Sequence, residues 1–163
     1  MSVPKSRQSK SRLEVLYNAT KLHDEIVALT LRSFGVYSRN SVVRHKYRTL
    51  IVQTKNEQYV DELVLSYKNL ITQAANMVEV YLRQAKTIYP SNQTRLDLRM
   101  TCQNNALASC VEVKSILSSV ARVFNVDLNL FEEPLSLVNR EIKLIKNWQR
   151  SDINKFKKKH QSS

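Results

Sequence analysis

Apolar side chains recur at spacings of three and four residues along four segments of the chain, which is typical of amphipathic α-helices. The clearest stripe runs from Val60 to Ala85, about seven turns, and predicts a long helix that ends near Pro90. Leu70 lies within this stripe and is expected to be buried. An earlier stripe predicts a first helix from about Leu13 to Phe34, and Gly35 is well placed to end it.

Two further helices are predicted in the second half of the chain. An apolar stripe from Leu96 to Phe124 follows a suitable N-cap at Ser91 and stops at Asn125. The last helix begins near Glu132, where two adjacent acids complement the helix dipole. Its buried face is predicted to contain Leu135, Val138, Ile142, Ile145, Trp148 and Phe156. Four amphipathic segments with mostly short links predict an all-α fold, an antiparallel up-down-up-down four-helix bundle.

The segment between the first two helices, residues 36–56, fits two interpretations. Thr49 to Val52 is β-branched enough for a short strand, yet the same residues prolong a helical pattern that starts at Val43. Both interpretations stay open at the level of sequence. The segment contains no acid, and its basic residues are Arg39, Arg44, His45, Lys46, Arg48 and Lys55.

The chain divides into a flexible basic arm (residues 1–12), a helical bundle that includes the basic linker (residues 13–154) and a basic tail (residues 155–163). The arm has almost no apolar content, so it cannot bury enough surface to order itself. One glycine and three prolines supply too little turn chemistry for a many-stranded β protein. No apolar stretch reaches the roughly 18 residues of a membrane span and no signal-peptide pattern is present, so we expect a cytoplasmic protein with no membrane span.

Charge is distributed unevenly. The formal net charge is +12, and residues 1–56, 57–139 and 140–163 carry +8, −2 and +6, respectively. Two basic ends around a near-neutral middle point to an anionic partner. Nucleic acid is the first expectation, and a membrane surface or an acidic protein comes after it.

The sequence contains no arrangement typical of an enzyme. A chain with one glycine cannot build a glycine-rich phosphate loop or a G-x-S-x-G elbow. His23, His45 and His160 are not spaced as metal ligands, and Cys102 and Cys110 have no neighbouring ligand, so both are expected to be reduced core or interface thiols. We therefore expect a binding protein without catalytic residues, metal site or cofactor.

The strongest constellation is cationic and spans the last helix and the tail; its members are Arg140, Lys143, Lys146, Arg150, Lys155, Lys157, Lys158 and Lys159. Lys143, Lys146 and Arg150 are three and four residues apart, which places them in one stripe that can follow a phosphate backbone. A solvated helix face has the same residue types, but only Glu141 and Asp152 accompany these eight cations. Further candidate contacts in the linker are Arg44, Lys46 and Arg48. Such contacts are expected to be independent of base sequence and sensitive to salt.

Several segments, in order, carry a resemblance to a known family; they are Asn18–Thr30, Leu70–Lys86, Arg95–Arg99 leading into Ala106–Leu117, and Asn147–Asp152, which reads Asn-Trp-Gln-Arg-Ser-Asp. Together they resemble the accessory variability determinants of diversity-generating retroelements, small four-helix-bundle proteins encoded beside bacterial reverse transcriptases. They are also similar to the bundle protein encoded in intervening sequences of bacterial large-subunit ribosomal RNA genes. The resemblance covers about residues 13–152.

The resemblance implies a bundle that assembles as a homopentameric barrel with a basic surface. It further implies that the barrel binds the reverse transcriptase and its template RNA or RNA/cDNA hybrid, and so supports mutagenic cDNA synthesis without catalytic residues of its own. Only the stripe adjoining Trp148 carries over as a binding surface, namely Arg140, Lys143, Lys146 and Arg150. The linker of residues 36–56 is longer than the tight turn expected in that family.

Two other functions fit the same residues. A stand-alone RNA-binding bundle associated with ribosomal RNA would bind RNA without a polymerase partner, and co-purification with the polymerase separates it from the accessory subunit. A basic membrane-surface adaptor is the third possibility, because the run from Lys155 to Lys159 also attracts acidic headgroups.

Overall fold

The computed structural model describes the backbone of residues 5–45, 48–52 and 57–161, and the side chains of residues 14–36 and 60–159. Most of this part of the chain forms four α-helices, which are α1 (Lys5–Leu31), α2 (Glu57–Thr87), α3 (Gln93–Val123) and α4 (Glu132–Gln161). The connections contain three strands, β1 (Val36–His45), β2 (Arg48–Val52) and β3 (Phe124–Val126), and short 3-10 helices at Ser33–Gly35 and Leu128–Phe131. The fold class is all-α, as predicted, with a small sheet attached to the helices.

Each helix packs against two others, since α1 and α3 both contact α2 and α4. Successive residues of α1 contact progressively earlier residues of α4; the contacts join Glu14 to Arg140, Asn18 to the Leu137 carbonyl, and Lys21 to Glu133. The same opposite order links α3 to α4 through Arg99 with Asp152, Asn104 with Gln149, and Lys114 with Asn139. These pairs fix the rotation of α4 about its axis.

The core lies between the helices, and α2 contributes the longest apolar face. Its buried residues are Val60, Val64, Ile71, Ala74, Ala75, Val78, Leu82 and Ala85, which confirms most of the predicted stripe. Leu70 is an exception because its side chain is 47% exposed. A charged side chain at position 70 would therefore stay in contact with solvent.

The first helix begins earlier than predicted. The backbone is already helical at Lys5, so residues 5–12, which the sequence assigned to a flexible arm, are part of α1. The α-helix ends at Leu31, three residues before the predicted end at Phe34. Phe34 is completely buried and adopts a positive φ of 58°, which breaks the helix and turns the ring into the core.

Gly35 completes this break. Its φ is +66°, a conformation that L side chains rarely adopt, and a Cβ added here would lie 2.6 Å from Cδ1 of Leu130. The Gly35 carbonyl accepts a hydrogen bond from the Asp127 amide at 3.3 Å. The end of α1 is thereby joined to the connection between α3 and α4.

The linker of residues 36–56, for which the sequence left strand and helix open, contains two strands. β1 pairs with β2 in an antiparallel register that places Val43 opposite Leu50, and β1 also pairs antiparallel with β3, so the strand order is β2-β1-β3. Phe124, predicted as the last residue of the third helical stripe, instead begins β3. Phe124 is buried, and its ring meets Tyr67 edge to face with centroids 5.8 Å apart.

Within the described helices, no segment is long and apolar enough to cross a membrane.

Candidate nucleic-acid interface

α4 has one buried side and one exposed cationic side. At about 100° per residue, buried Val138, Glu141, Ile145, Trp148 and Asp152 form one face. The exposed cations on the opposite side are Lys143, Lys146, Arg150 and Lys157, and we call these four residues the cationic stripe. The periodicity predicted the first three members, and the structure adds Lys157 to them.

The cationic stripe is straight because it lies on one helix. From Lys143 to Lys157 it extends about 21 Å along the axis at 1.5 Å per residue. All four side chains are exposed. An extended row of ammonium and guanidinium groups can contact several consecutive phosphates of one nucleic-acid backbone.

The two acids in the cationic part of α4 lie in the interior of the protein. Glu141 is 0% exposed and Asp152 is 1% exposed. Neither carboxyl group therefore neutralises the cationic stripe at the surface. The outer face of α4 is consequently more positive than the sequence count suggested.

Glu141 is buried among residues of α1, α3 and α4. Asn18 Nδ2 donates to Glu141 Oε2 at 2.6 Å and to the Leu137 carbonyl at 3.1 Å. Burial raises the pKa of Glu141 to about 8, although the Asn18 hydrogen bond and the Arg140 charge act in the opposite direction. Burial, together with the nearby Glu141 charge, also raises the pKa of Cys110 to about 12. Both groups are therefore mostly neutral near pH 7.

Asp152 belongs to a second buried polar cluster, between α3 and α4. Its Oδ2 lies 2.7 Å from Arg99 Nε and accepts a hydrogen bond from Gln103 Nε2 at 3.0 Å. Arg99 Nη1 donates to the Ile88 carbonyl at 2.8 Å, in the connection between α2 and α3. The Arg99 guanidinium carbon also lies 4.8 Å from the centroid of the Trp148 ring. This cluster fixes the last third of α4 against α3.

The same cluster brings together two of the segments that carried the family resemblance. Arg99 closes the Arg95–Arg99 segment, while Trp148 and Asp152 belong to Asn147–Asp152. Trp148 is 5% exposed and packs in the core, so it does not stack on a ligand. Within these segments Arg99, Trp148 and Asp152 hold α3 and α4 together, and the exposed cations are Arg95 and Arg150.

The other predicted contacts have different environments. Arg140 is exposed, but it forms an ion pair with Glu14 at 2.8 Å, so it is less available to phosphate than the cationic stripe. Lys155 is half-buried, whereas Lys158 and Lys159 are exposed near the end of α4. The linker candidates lie outside the described side chains; Arg44 is in β1, Arg48 is in β2, and Lys46 lies between the described segments.

A groove between α3 and α4 adjoins the cationic stripe, and sequence analysis missed it. It has a volume of about 500 Å³, and Lys157 is one of its lining residues. Phe156, which the sequence assigned to the core, is half-buried and also lines the groove. The groove results from two helix surfaces meeting, so no pattern along a single helix reveals it.

Comparisons with known proteins give no relative. No family model matches the chain, and neither a curated protein nor a solved structure matches it. Among the described residues, no group of three or more His, Cys, Asp or Glu side chains is arranged to hold a metal ion.

Proposed function

We propose that this protein binds nucleic acid through the outer face of α4. The observation that carries this proposal is the separation of charge on that helix: the cationic stripe is exposed, while Glu141 and Asp152 are buried. A face of this kind attracts phosphates by counterion release and does not need to recognise bases. Arg140 and the terminal lysines extend the positive surface.

The family resemblance narrows the proposal. We propose a non-catalytic accessory subunit of a retroelement reverse transcriptase, which binds template RNA and the polymerase to support mutagenic cDNA synthesis in the cytoplasm. Two of the segments that carry the resemblance, Arg95–Arg99 and Asn147–Asp152, contact each other. This contact supports the choice, because Arg99, Trp148 and Asp152 pack together there as one unit. A stand-alone RNA-binding bundle is the alternative if no polymerase associates.

The same proposal includes an up-down-up-down arrangement of antiparallel helices and a homo-oligomer, a pentamer by the resemblance. The opposite order of contacts along α1 and α4, and along α3 and α4, supports the antiparallel arrangement. Leu65, Leu70, Leu98 and Val111 are exposed large apolar side chains, which supports contact between copies.

Light-scattering mass of the full chain, repeated with RNA over a salt series, tests the proposal. A mass near five protomers with RNA uptake that falls steeply as salt rises would support it and justify a polymerase pull-down. A monomer that takes up no RNA would overturn it. In that case, vesicles with and without anionic lipid would test the membrane-surface alternative.

A further inference from the structure

We propose that the groove between α3 and α4 holds an unpaired base of single-stranded nucleic acid, while the phosphates of that strand lie on the cationic stripe. This inference rests on the proposed function and adds the strandedness of the ligand.

The interior of the groove is apolar. α3 contributes Leu96 and Met100, and α4 contributes Ile153 and Phe156. Leu96 is 5% exposed and is the most buried of the four, whereas the other three side chains are half-buried and reachable from solvent. A volume of about 500 Å³ lined in this way is within the range of pockets that bind small organic groups. Phe156 supplies an aromatic ring, the side-chain type on which unpaired bases stack.

The two sides of the groove's rim carry opposite charges, so one side favours a base and the other a phosphate. On the α3 side, Asp97 is exposed, and its Oδ1 accepts a hydrogen bond from Gln93 Nε2 at 2.7 Å. A carboxylate repels phosphate, but it can accept a hydrogen bond from an exocyclic amino group, as on cytosine. On the opposite side, Lys157 supplies the positive charge that a phosphate requires.

Lys157 therefore belongs to both surfaces, since it lines the groove and continues the cationic stripe. A strand that follows Lys143, Lys146 and Arg150 reaches the groove at its next contact. In a duplex the faces of the bases are stacked on one another, and only an unpaired strand can turn a base into the groove. The charge pattern and the apolar lining thus agree on single-stranded nucleic acid.

Fluorescence anisotropy with the full chain tests this inference. The probes are labelled oligocytidylates of about 12 nucleotides in RNA and DNA forms, abasic strands of the same backbones, and duplexes of equal length. We expect the base-containing single strand to bind about 5- to 100-fold more tightly than its abasic counterpart, the range that base stacking on aromatic residues provides. The RNA and DNA arms identify the preferred sugar, and the inference requires the difference in at least one of them.

Phe156→Leu provides the matched variant because it keeps apolar volume and helix propensity but removes the aromatic face. It should abolish most of the difference between base-containing and abasic strands and leave abasic binding unchanged. Tyr17→Leu is the control, since Tyr17 is an exposed aromatic residue of α1 that does not line the groove. Thermal unfolding verifies that both variants fold, and the comparison of probes on the unmodified chain needs no variant.

Equal affinity for base-containing and abasic strands, or for single strands and duplexes, would overturn the inference and leave salt-sensitive binding by the cationic stripe intact. Absence of salt-dependent binding to every probe would instead defeat the proposed function itself. If Phe156→Leu alters the light-scattering mass without altering the dependence on bases, the groove is a contact between copies and the inference is wrong.

Discussion

Arg99 and Asp152 form an ion pair in the interior of the protein, with Nε 2.7 Å from Oδ2 and each side chain only 1% exposed. The pair joins α3 to α4 at Asp152, which lies between Arg150 and Lys157 in sequence. Removing one member of such a pair leaves the other charge buried. The buried pair therefore holds in place the part of α4 that carries these exposed cations.

Asp152→Ala is expected to lower the free energy of unfolding by about 3–5 kcal/mol, because the Arg99 guanidinium loses its buried carboxylate. Urea denaturation monitored by circular dichroism measures the change. Asp61→Ala, at an exposed position of α2, is the control and should change stability by less than about 0.5 kcal/mol. Similar values for the two variants would contradict the importance of the ion pair.

Glu141 predicts a dependence of stability on pH. Its pKa in the folded protein is about 8, above its ordinary value of 4.5, so protonation favours the folded state. This contribution is complete below about pH 4.5 and is lost as pH rises to about 8. In Glu141→Gln the side chain cannot ionise. The variant should therefore gain stability relative to the unmodified protein as pH rises, by a few kcal/mol and at most about 5 kcal/mol.

Denaturation at several pH values between about 5 and 9 measures this difference. Glu112→Gln, at an exposed position of α3, is the control, and its difference from the unmodified protein should stay nearly constant. A constant difference for Glu141→Gln as well would show that the buried carboxyl does not couple folding to protons.

The cationic stripe predicts the salt dependence of RNA binding. Lys143→Glu with Lys146→Glu should weaken binding and reduce the slope of log affinity against log salt by roughly 1.4 for a single strand, about 0.7 for each lost phosphate contact. The fold should be unaffected, because both side chains are exposed.

A matched control for these two substitutions is Lys86→Glu with Arg122→Glu, which changes net charge equally at exposed positions of α2 and α3. A second variant truncated before Lys155 should also weaken binding, since it removes four of the candidate cations. If neither the stripe variant nor the truncation differs from the control, the interface does not lie on α4.

Cys110 should resist alkylation in the native protein. It is 0% exposed, and its pKa is raised to about 12, so the reactive thiolate is scarce and inaccessible. Cys102 is half-buried and should react first with iodoacetamide near pH 8, as peptide mass spectrometry can establish. In Cys102→Ser, we expect labelling only after addition of denaturant; rapid labelling under native conditions would mean that the core opens at Cys110.

The helical stripes were predictable because they depend on local spacing. The face of α2 and the exposed positions of Lys143, Lys146 and Arg150 follow directly from a period near 3.6 residues. The buried acids were not predictable in this way. Glu141 lies in the core because Asn18, far away in sequence, bonds to it, and hydropathy treats every carboxyl group as a surface group.

In the linker of residues 36–56, the backbone structure likewise depends on a partner that is distant in sequence. Thr49 to Val52 fitted either a strand or a helix. The strand that pairs with them, β1, itself pairs with β3 from the other half of the chain. Local propensity carries no information about such distant pairing. The groove beside Lys157 has the same origin, since it exists only where α3 and α4 meet.

The pairing of β1 with β3 also has a consequence for the order of folding. Val36 lies opposite Val126, so pairing of β1 with β3 closes a loop of roughly 90 residues. Closing this loop costs chain entropy, and that cost must be met before the hydrogen bonds between the two strands form. The helices between the two strands shorten that loop only when they have packed together. We therefore expect amides of β1 and β3 to gain protection in pulsed hydrogen exchange after those of α2 and α3, making the sheet a kinetic marker of a completed bundle.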